Sequence, residues 1–118
     1  MANITPSIAQ VFNSYALRMQ TWGPMANGDV GLPVEFGTHA DRTVQVGGTF
    51  GSGGTVVIEG SMDGSDYQVL NDPFGVSLSF TGPKIRTITE VTKYIRARVT
   101  GGDGTTAINV NLLLRSSV

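Results

Sequence analysis

Hydrophobic and polar residues alternate along most of the chain after residue 42. The clearest stretch is KYIRARVT, in which Ile95, Ala97 and Val99 alternate with Tyr94 and with arginines. Alternation over four to eight residues is typical of a strand with one buried face, and such strands form antiparallel sheets. The same period in RTVQVGGTF, TVVIEG and INVNLLLR predicts these inward residues: Val44, Val46, Phe50, Val56, Ile58, Ile108, Val110, Leu112 and Leu114. On the same pattern Val57 and Glu59 are expected to face outward.

Turn-forming residues interrupt these runs at short intervals. The interruptions are Gly51–Gly54, Asp63–Gly64, Asp72–Pro73, Thr81–Pro83 and Gly101–Gly104. Each supplies the positive or fixed φ angles that turns need, and many short strands at this spacing indicate a sandwich or a barrel-like jelly roll. We therefore predict an all-β fold, a single antiparallel, jelly-roll-like β-sandwich over residues 16–118. About eight strands are expected: 17–22, 34–36, 43–50, 55–61, 67–70, 78–80, 85–91 with 94–99, and 108–114.

The first fifteen residues follow a different pattern, so residues 1–15 are assigned to a separate N-terminal arm or flap. Ile8, Val11, Phe12 and Tyr15 have the spacing of a helical stripe, but the segment is too short to form a stable helix alone. It is either a helix or an extended arm. Its apolar residues either close one end of the core or dock on a neighbouring subunit.

Composition narrows the range of functions that the chain can have. The chain has 118 residues, a net charge of −1, 14% charged residues, 16 glycines and no cysteine. One domain of this length can bury a core without disulfides. Without a basic surplus, direct binding to nucleic acid is not expected. The sequence contains neither a secretion signal nor an apolar run of membrane-spanning length, so a soluble protein that does not enter membranes is expected.

The sequence offers little catalytic chemistry. His39 is the single histidine, and it is expected to be a loop residue because a triad or a zinc site needs more partners than it has. The glycine-rich stretch GTFGSGGT lacks the Lys-Ser/Thr pair and the helix of a phosphate-binding loop. We therefore expect no enzyme activity and no cofactor.

Two further groups are candidate binding sites. Asp63 and Asp66 lie in an Asp-Gly turn that is expected to be a hairpin corner. A calcium ion there is the alternative, although the spacing does not match an EF-hand loop. Trp22 and Phe74 are either core residues or exposed anchors for a sugar or a protein. Arg96 and Arg98 share the outward face of one strand and are either solvated or part of an interface.

The stretches IEGSMDGSDYQVL and KYIRARVT resemble a pairing found in discoidin-type and related carbohydrate-binding domains, where a Gly-Ser-x-Asp-Gly turn precedes an aromatic residue. This resemblance covers only the two stretches. It implies a shared architecture more than a shared ligand.

A broader resemblance runs from about residue 16 through WGPMANGDVGLPVEF, ADRTVQVGGTFGSGG, IEGSMDGSDYQVLNDPFG, LSFTG, ITEVTKYIRARVTGGDGTT and VNLLLR. Together these resemble small capsid decoration (cement) proteins of tailed bacteriophages. Tyr67 stands where that family commonly has tryptophan, and the first fifteen residues lie outside the pattern. The resemblance brings no catalytic residues with it.

That resemblance implies a viral structural protein on the capsid exterior of a virion assembled in the host cytoplasm. Its expected partners are the major capsid protein and further copies of itself. The expected contact residues are Ile8, Val11, Phe12, Trp22, Phe74, Arg96 and Arg98. A phage neck or tail component and a carbohydrate-binding module are the alternatives.

Overall fold

The computed structural model describes residues 2–10, 17–35 and 39–116, with the backbone alone for residues 7–10. These residues form eleven strands and no helix. The strands are β1 Asn3–Ile4, β2 Ser7–Gln10, β3 Leu17–Met25, β4 Val30–Gly31, β5 Asp41–Thr49, β6 Thr55–Ser61, β7 Gln68–Val69, β8 Ser79–Phe80, β9 Lys84–Ile88, β10 Tyr94–Gly101 and β11 Ala107–Arg115.

The strands build two sheets that pack face to face, so the predicted all-β sandwich is confirmed. One sheet has the order β1-β4-β10-β6-β7, with β8 also paired to β6, and the other has the order β2-β3-β11-β5-β9. All strand pairs are antiparallel except β1 with β4. The two are called the six-stranded and the five-stranded sheet below.

The core lies between the sheets and contains most of the predicted inward residues. Val46, Ile58, Ile95, Val110 and Leu112 are each at most 1% exposed. Phe50 is half-buried and packs against this core. The period of two therefore identified the buried face of β5, β10 and β11.

The prediction was wrong for the outward face of β6. Val57 is 7% exposed and Glu59 is 4% exposed, so this central strand is buried on both faces. Glu59 is covered because two arginines of the neighbouring strand β10 bind its carboxylate. The predicted strand at residues 34–36 is also absent from the part that is described, where Val34 forms a single bridge with Ile95.

Polar side chains enter the core from the five-stranded sheet. Arg42 is 2% exposed and donates from Nε to the carbonyl oxygen of His39 at 2.9 Å and from Nη2 to that of Thr92 at 2.8 Å. Burial lowers the pKa of Arg42. Gln20 is fully buried as well, and neither atom of its side-chain amide has a hydrogen-bond partner.

Residues 3–4 and 7–10 are extended, with β1 paired to β4 and β2 paired to β3. Of the two alternatives for the N-terminal segment, the described backbone therefore favours the extended form. Val11, Phe12 and Tyr15 lie outside the described residues. None of the described residues forms a helix long and apolar enough to cross a membrane.

Candidate functional site

The outer face of the five-stranded sheet is an uncharged surface over most of its described extent. Alternate residues of β3, β5, β9 and β11 point away from the core. Seven of them line a groove of about 380 Å³, called here the apolar groove: Leu17, Met19, Thr43, Gln45, Ile85, Asn111 and Leu113. Ile85 is 57% exposed and Leu113 is 37% exposed. The face ends at an ion pair of 2.9 Å between Arg115 and Asp41.

A loop held by its own hydrogen bonds presents an aromatic side chain next to this face. Asp72 is buried, and its Oδ1 accepts hydrogen bonds of 2.9 Å from the amides of both Phe74 and Val76. The Asp72 amide donates to the carbonyl of Val76, and the amide of Gly75 donates to the carbonyl of Asp72. Gly75 has a φ of 79°, which favours glycine. These bonds fix the loop while Phe74 stays 91% exposed.

The loop and the apolar groove form one continuous surface because Ile85 belongs to both. A second groove of about 490 Å³ is lined by Ile85 together with Pro73, Phe74 and Val76, and its polar border is formed by Asp72, Arg86 and Thr87. Val76 is 59% exposed. Contiguous apolar patches of this kind mark interaction sites in soluble proteins. The two grooves are called the apolar belt below.

Arg96 and Arg98 lie on the other sheet, where they bind a carboxylate of the same chain. The Glu59 carboxylate accepts from Nε of Arg96 at 3.0 Å and from Nη2 of Arg98 at 2.8 Å. The Arg96 guanidinium also stacks 3.7 Å from the centre of the Tyr67 ring. Burial alone would raise the pKa of Glu59, but the hydrogen bonds and charges of Arg98 and Arg96 outweigh burial and lower it. These arginines therefore hold together β6, β10 and the segment after β6.

Trp22 is a core residue and has no exposed surface with which to contact a sugar or a partner. Its Nε1 donates to the carbonyl oxygen of Leu32 at 2.9 Å. Gly31 lies so close that an added Cβ atom would be 2.7 Å from the indole ring. Of the two aromatic candidates from the sequence, only Phe74 is exposed.

The remaining contact residues predicted from the sequence lie in the N-terminal segment, which is described only in part. Ile8 lies on β2, with its backbone opposite Gln20 of β3. Val11 and Phe12 fall outside the described residues. The predicted contact residues that are described do not form one site, because Trp22 is in the core and Phe74 lies beside a different sheet from the two arginines.

The Asp63 turn is held by its own hydrogen bonds. Oδ1 of Asp63 accepts from the amides of Asp66 and Ser65 and from the hydroxyl of Ser61, at 2.9, 2.8 and 2.8 Å. These bonds lower the pKa of Asp63 to about 2. The carboxylate of Glu90, in the same cleft, accepts from the amide and the side chain of Asn71.

Neither this turn nor any other described part contains three His, Cys, Asp or Glu residues grouped to hold a metal ion. The carboxylate of Asp63 serves the geometry of the turn. His39 is buried in the connection before β5, where its carbonyl oxygen binds Arg42.

The sequence interpretation missed the apolar belt apart from Phe74. Its signal was present as apolar residues at outward positions of alternating strands, such as Leu113 in INVNLLLR. An outward apolar residue is common on any protein surface. The spatial grouping of Leu17, Met19, Ile85 and Leu113 becomes visible only once the strand order is known.

Comparison with models of protein families finds no match, and comparison with curated proteins finds none either. Among solved structures, 4 chains match. One is the crystal structure of the SPBc2 prophage-derived protein YomS, with a TM-score of 0.65 and 11% sequence identity, covering 91% of this chain and 100% of that chain. At this identity the likeness concerns the fold.

Proposed function

We propose that this chain is a structural protein of a tailed bacteriophage that binds the outer surface of the capsid and stabilises it. Three observations support the proposal: the resemblance of the sequence to capsid decoration proteins, a fold shared with a prophage-derived protein, and the apolar belt. The belt is the observation that carries it, because an exposed apolar surface with a rigid aromatic anchor is suited to contact with another protein.

The size of the belt fits a weak contact that is repeated many times. Four strands about 4.8 Å apart, each with about six residues rising about 3.3 Å, cover about 400 Å². A standard interface uses about 800 Å² on each partner. The loop of Phe74 and Val76 extends the area, but one copy would still bind modestly. Copies bound side by side on a shell gain affinity from their neighbours.

The anchor is preorganised, which lowers the cost of binding. The backbone of Phe74 is already fixed by the bonds of Asp72 and by the turn at Gly75. Docking therefore orders little backbone, and the entropy lost at this residue is confined to the rotamers of its ring. Phe74 is thus the residue expected to contribute most to the binding energy.

The experiment is to add the protein to capsids assembled without it and to count bound copies by sedimentation. Phe74→Ala and Leu113→Asp should each reduce occupancy at least about tenfold at limiting concentration, because hot-spot truncations typically cost 2 kcal/mol or more. Met62→Ala is the matched control, since Met62 is 67% exposed and lies outside the belt.

The wild type should also raise the temperature at which capsids rupture, and Phe74→Ala should not. A wild-type protein that ignores capsids while binding a glycan array would overturn the proposal in favour of a carbohydrate-binding module. Binding to purified tails instead of capsids would favour a neck or tail component.

A further inference from the structure

Strand β9 forms an open edge of the five-stranded sheet. It pairs with β5 on one side and is the last strand in the sheet order. Lys84, Ile85, Arg86 and Thr87 are all exposed. In an antiparallel pair every second residue directs its N–H and C=O away from its partner strand, so a further strand can pair along residues 84–87. The edge is closed beyond β9, where the amide of Thr89 donates to the carbonyl oxygen of Asn71.

The edge carries two cations that lack an acidic partner in the described part of the chain. Lys93, Arg96, Arg98 and Arg115 each form an ion pair. Lys84 and Arg86 form none. The Arg86 guanidinium donates from Nη1 to a neutral group, the carbonyl oxygen of Ile85, at 2.8 Å, so an added strand would have to replace this bond to use that carbonyl. The two charges are therefore available to a partner.

The two faces of β9 differ in chemistry. Lys84 and Arg86 lie opposite Val46 and Val44, on the side of the sheet that faces the sandwich interior. There they border an open groove of about 180 Å³ that is also lined by Ser77, and Arg86 additionally lines the groove of Phe74. Ile85 lies on the outer face and belongs to the apolar belt with Phe74.

We propose that β9 accepts an extended segment of a partner protein in which acidic and apolar residues alternate. Side chains of an added strand follow the same period of two as β9. Its acidic residues would meet Lys84 and Arg86, and its apolar residues would lie beside Ile85 and Phe74. This proposal extends the function proposed above. It rests on that function for one point, which is that the partner is a protein of the capsid shell.

The charge of the edge favours this occupant over a second copy of the chain. Inward-facing charges on an edge strand oppose pairing with an identical edge, because Lys84 and Arg86 of two copies would repel one another. Asp72 also lines the groove, but it is only 6% exposed and its Oδ1 is turned toward the amides of Phe74 and Val76 in its own loop.

The probe is an acetylated, amidated peptide of four Glu-Val repeats, titrated into ¹⁵N-labelled protein and followed by NMR. We expect saturable shifts of the amides of β9 and of Phe74. A Lys-Val peptide of the same length should not bind. The Glu-Val peptide methylated at every backbone nitrogen should bind much more weakly, because strand addition needs its N–H donors.

The double variant Lys84→Gln with Arg86→Gln should weaken peptide binding about tenfold at low salt, as expected for two exposed ion pairs. Lys93→Gln with Arg115→Gln changes the net charge equally and is the control that should bind normally. Absence of binding, equal binding of the methylated peptide, or equal weakening in both double variants would overturn the proposal. The peptide assay contains no capsid, so strand addition stands if the peptide binds but capsids do not.

Discussion

Leu112 and Leu113 are consecutive residues of β11 with opposite environments: Leu112 is fully buried, and Leu113 is 37% exposed on the outer face. Leu112→Ala should lower the free energy of unfolding by about 2–5 kcal/mol, because it leaves a cavity in the core. Leu113→Ala should change it by about 0.5 kcal/mol or less. Urea unfolding of both variants measures the difference. Equal losses would mean that the outer face is covered in the folded monomer.

The cluster around Glu59 predicts a dependence of stability on pH. The pKa of Glu59 in the folded protein lies below its ordinary value of 4.5. The contribution of Glu59 to the free energy of unfolding is therefore fully present above about pH 4.5. It is lost as the pH falls through the lower pKa of the folded protein. Glu59→Gln should cost about 1–3 kcal/mol near neutral pH, since it removes charge-assisted hydrogen bonds from two partly exposed arginines.

The same variant should flatten the decline of the free energy of unfolding below about pH 4.5. Denaturant unfolding across this range measures both quantities. Glu35→Gln is the control, because Glu35 forms a single exposed ion pair with Lys93. If the free energy of unfolding declines with falling pH as steeply in Glu59→Gln as in the wild type, other carboxylates cause the loss of stability in acid.

Gln20 is expected to reduce stability. Its amide is fully buried without a hydrogen-bond partner, and an unsatisfied buried amide costs about 1–3 kcal/mol. Gln20→Met, which has a similar length, should therefore raise the free energy of unfolding by about 1–2 kcal/mol. Gln45→Met makes the same change on the outer face and should be nearly neutral. A loss of stability in Gln20→Met would contradict the expectation that this amide is destabilising.

The turn after β6 should respond to geometry and not to calcium. Asp63→Ala removes the acceptor for the amides of Ser65 and Asp66 and should lower the melting temperature. Asp66→Asn should leave it unchanged. Adding calcium should alter neither the wild type nor these variants in differential scanning fluorimetry. A calcium-dependent rise that disappears in Asp66→Asn would establish a metal site.

The strands with strict alternation could be predicted from the sequence because β5, β10 and β11 are long and bury one face each. The short strands could not. β4 has two residues, and β1 forms through pairing with the distant β4. β2 forms through pairing with the next strand, β3, which the spacing of its own residues does not encode. The residues around Ile8 have helical spacing although the segment pairs as a strand. The sequence therefore left a helix and an extended arm as alternatives.

The environment of the candidate site depended on tertiary packing. Glu59 occupies an outward position but is buried by Arg96 and Arg98. Ile85 occupies an outward position and is exposed, because no described strand lies beyond the open edge at β9. Identical positions in an alternating pattern thus have opposite burial, and only the strand order distinguishes them.

The buried position of Trp22 gives the protein an internal optical reporter. It is the single tryptophan of the chain, its indole is fully enclosed, and its Nε1 is bonded to Leu32. Its emission should be short in wavelength in the folded state and should move to longer wavelength when the sandwich opens. A partner that covers Phe74 does not touch this indole. Tryptophan fluorescence should therefore change when the protein unfolds and stay the same when a partner docks.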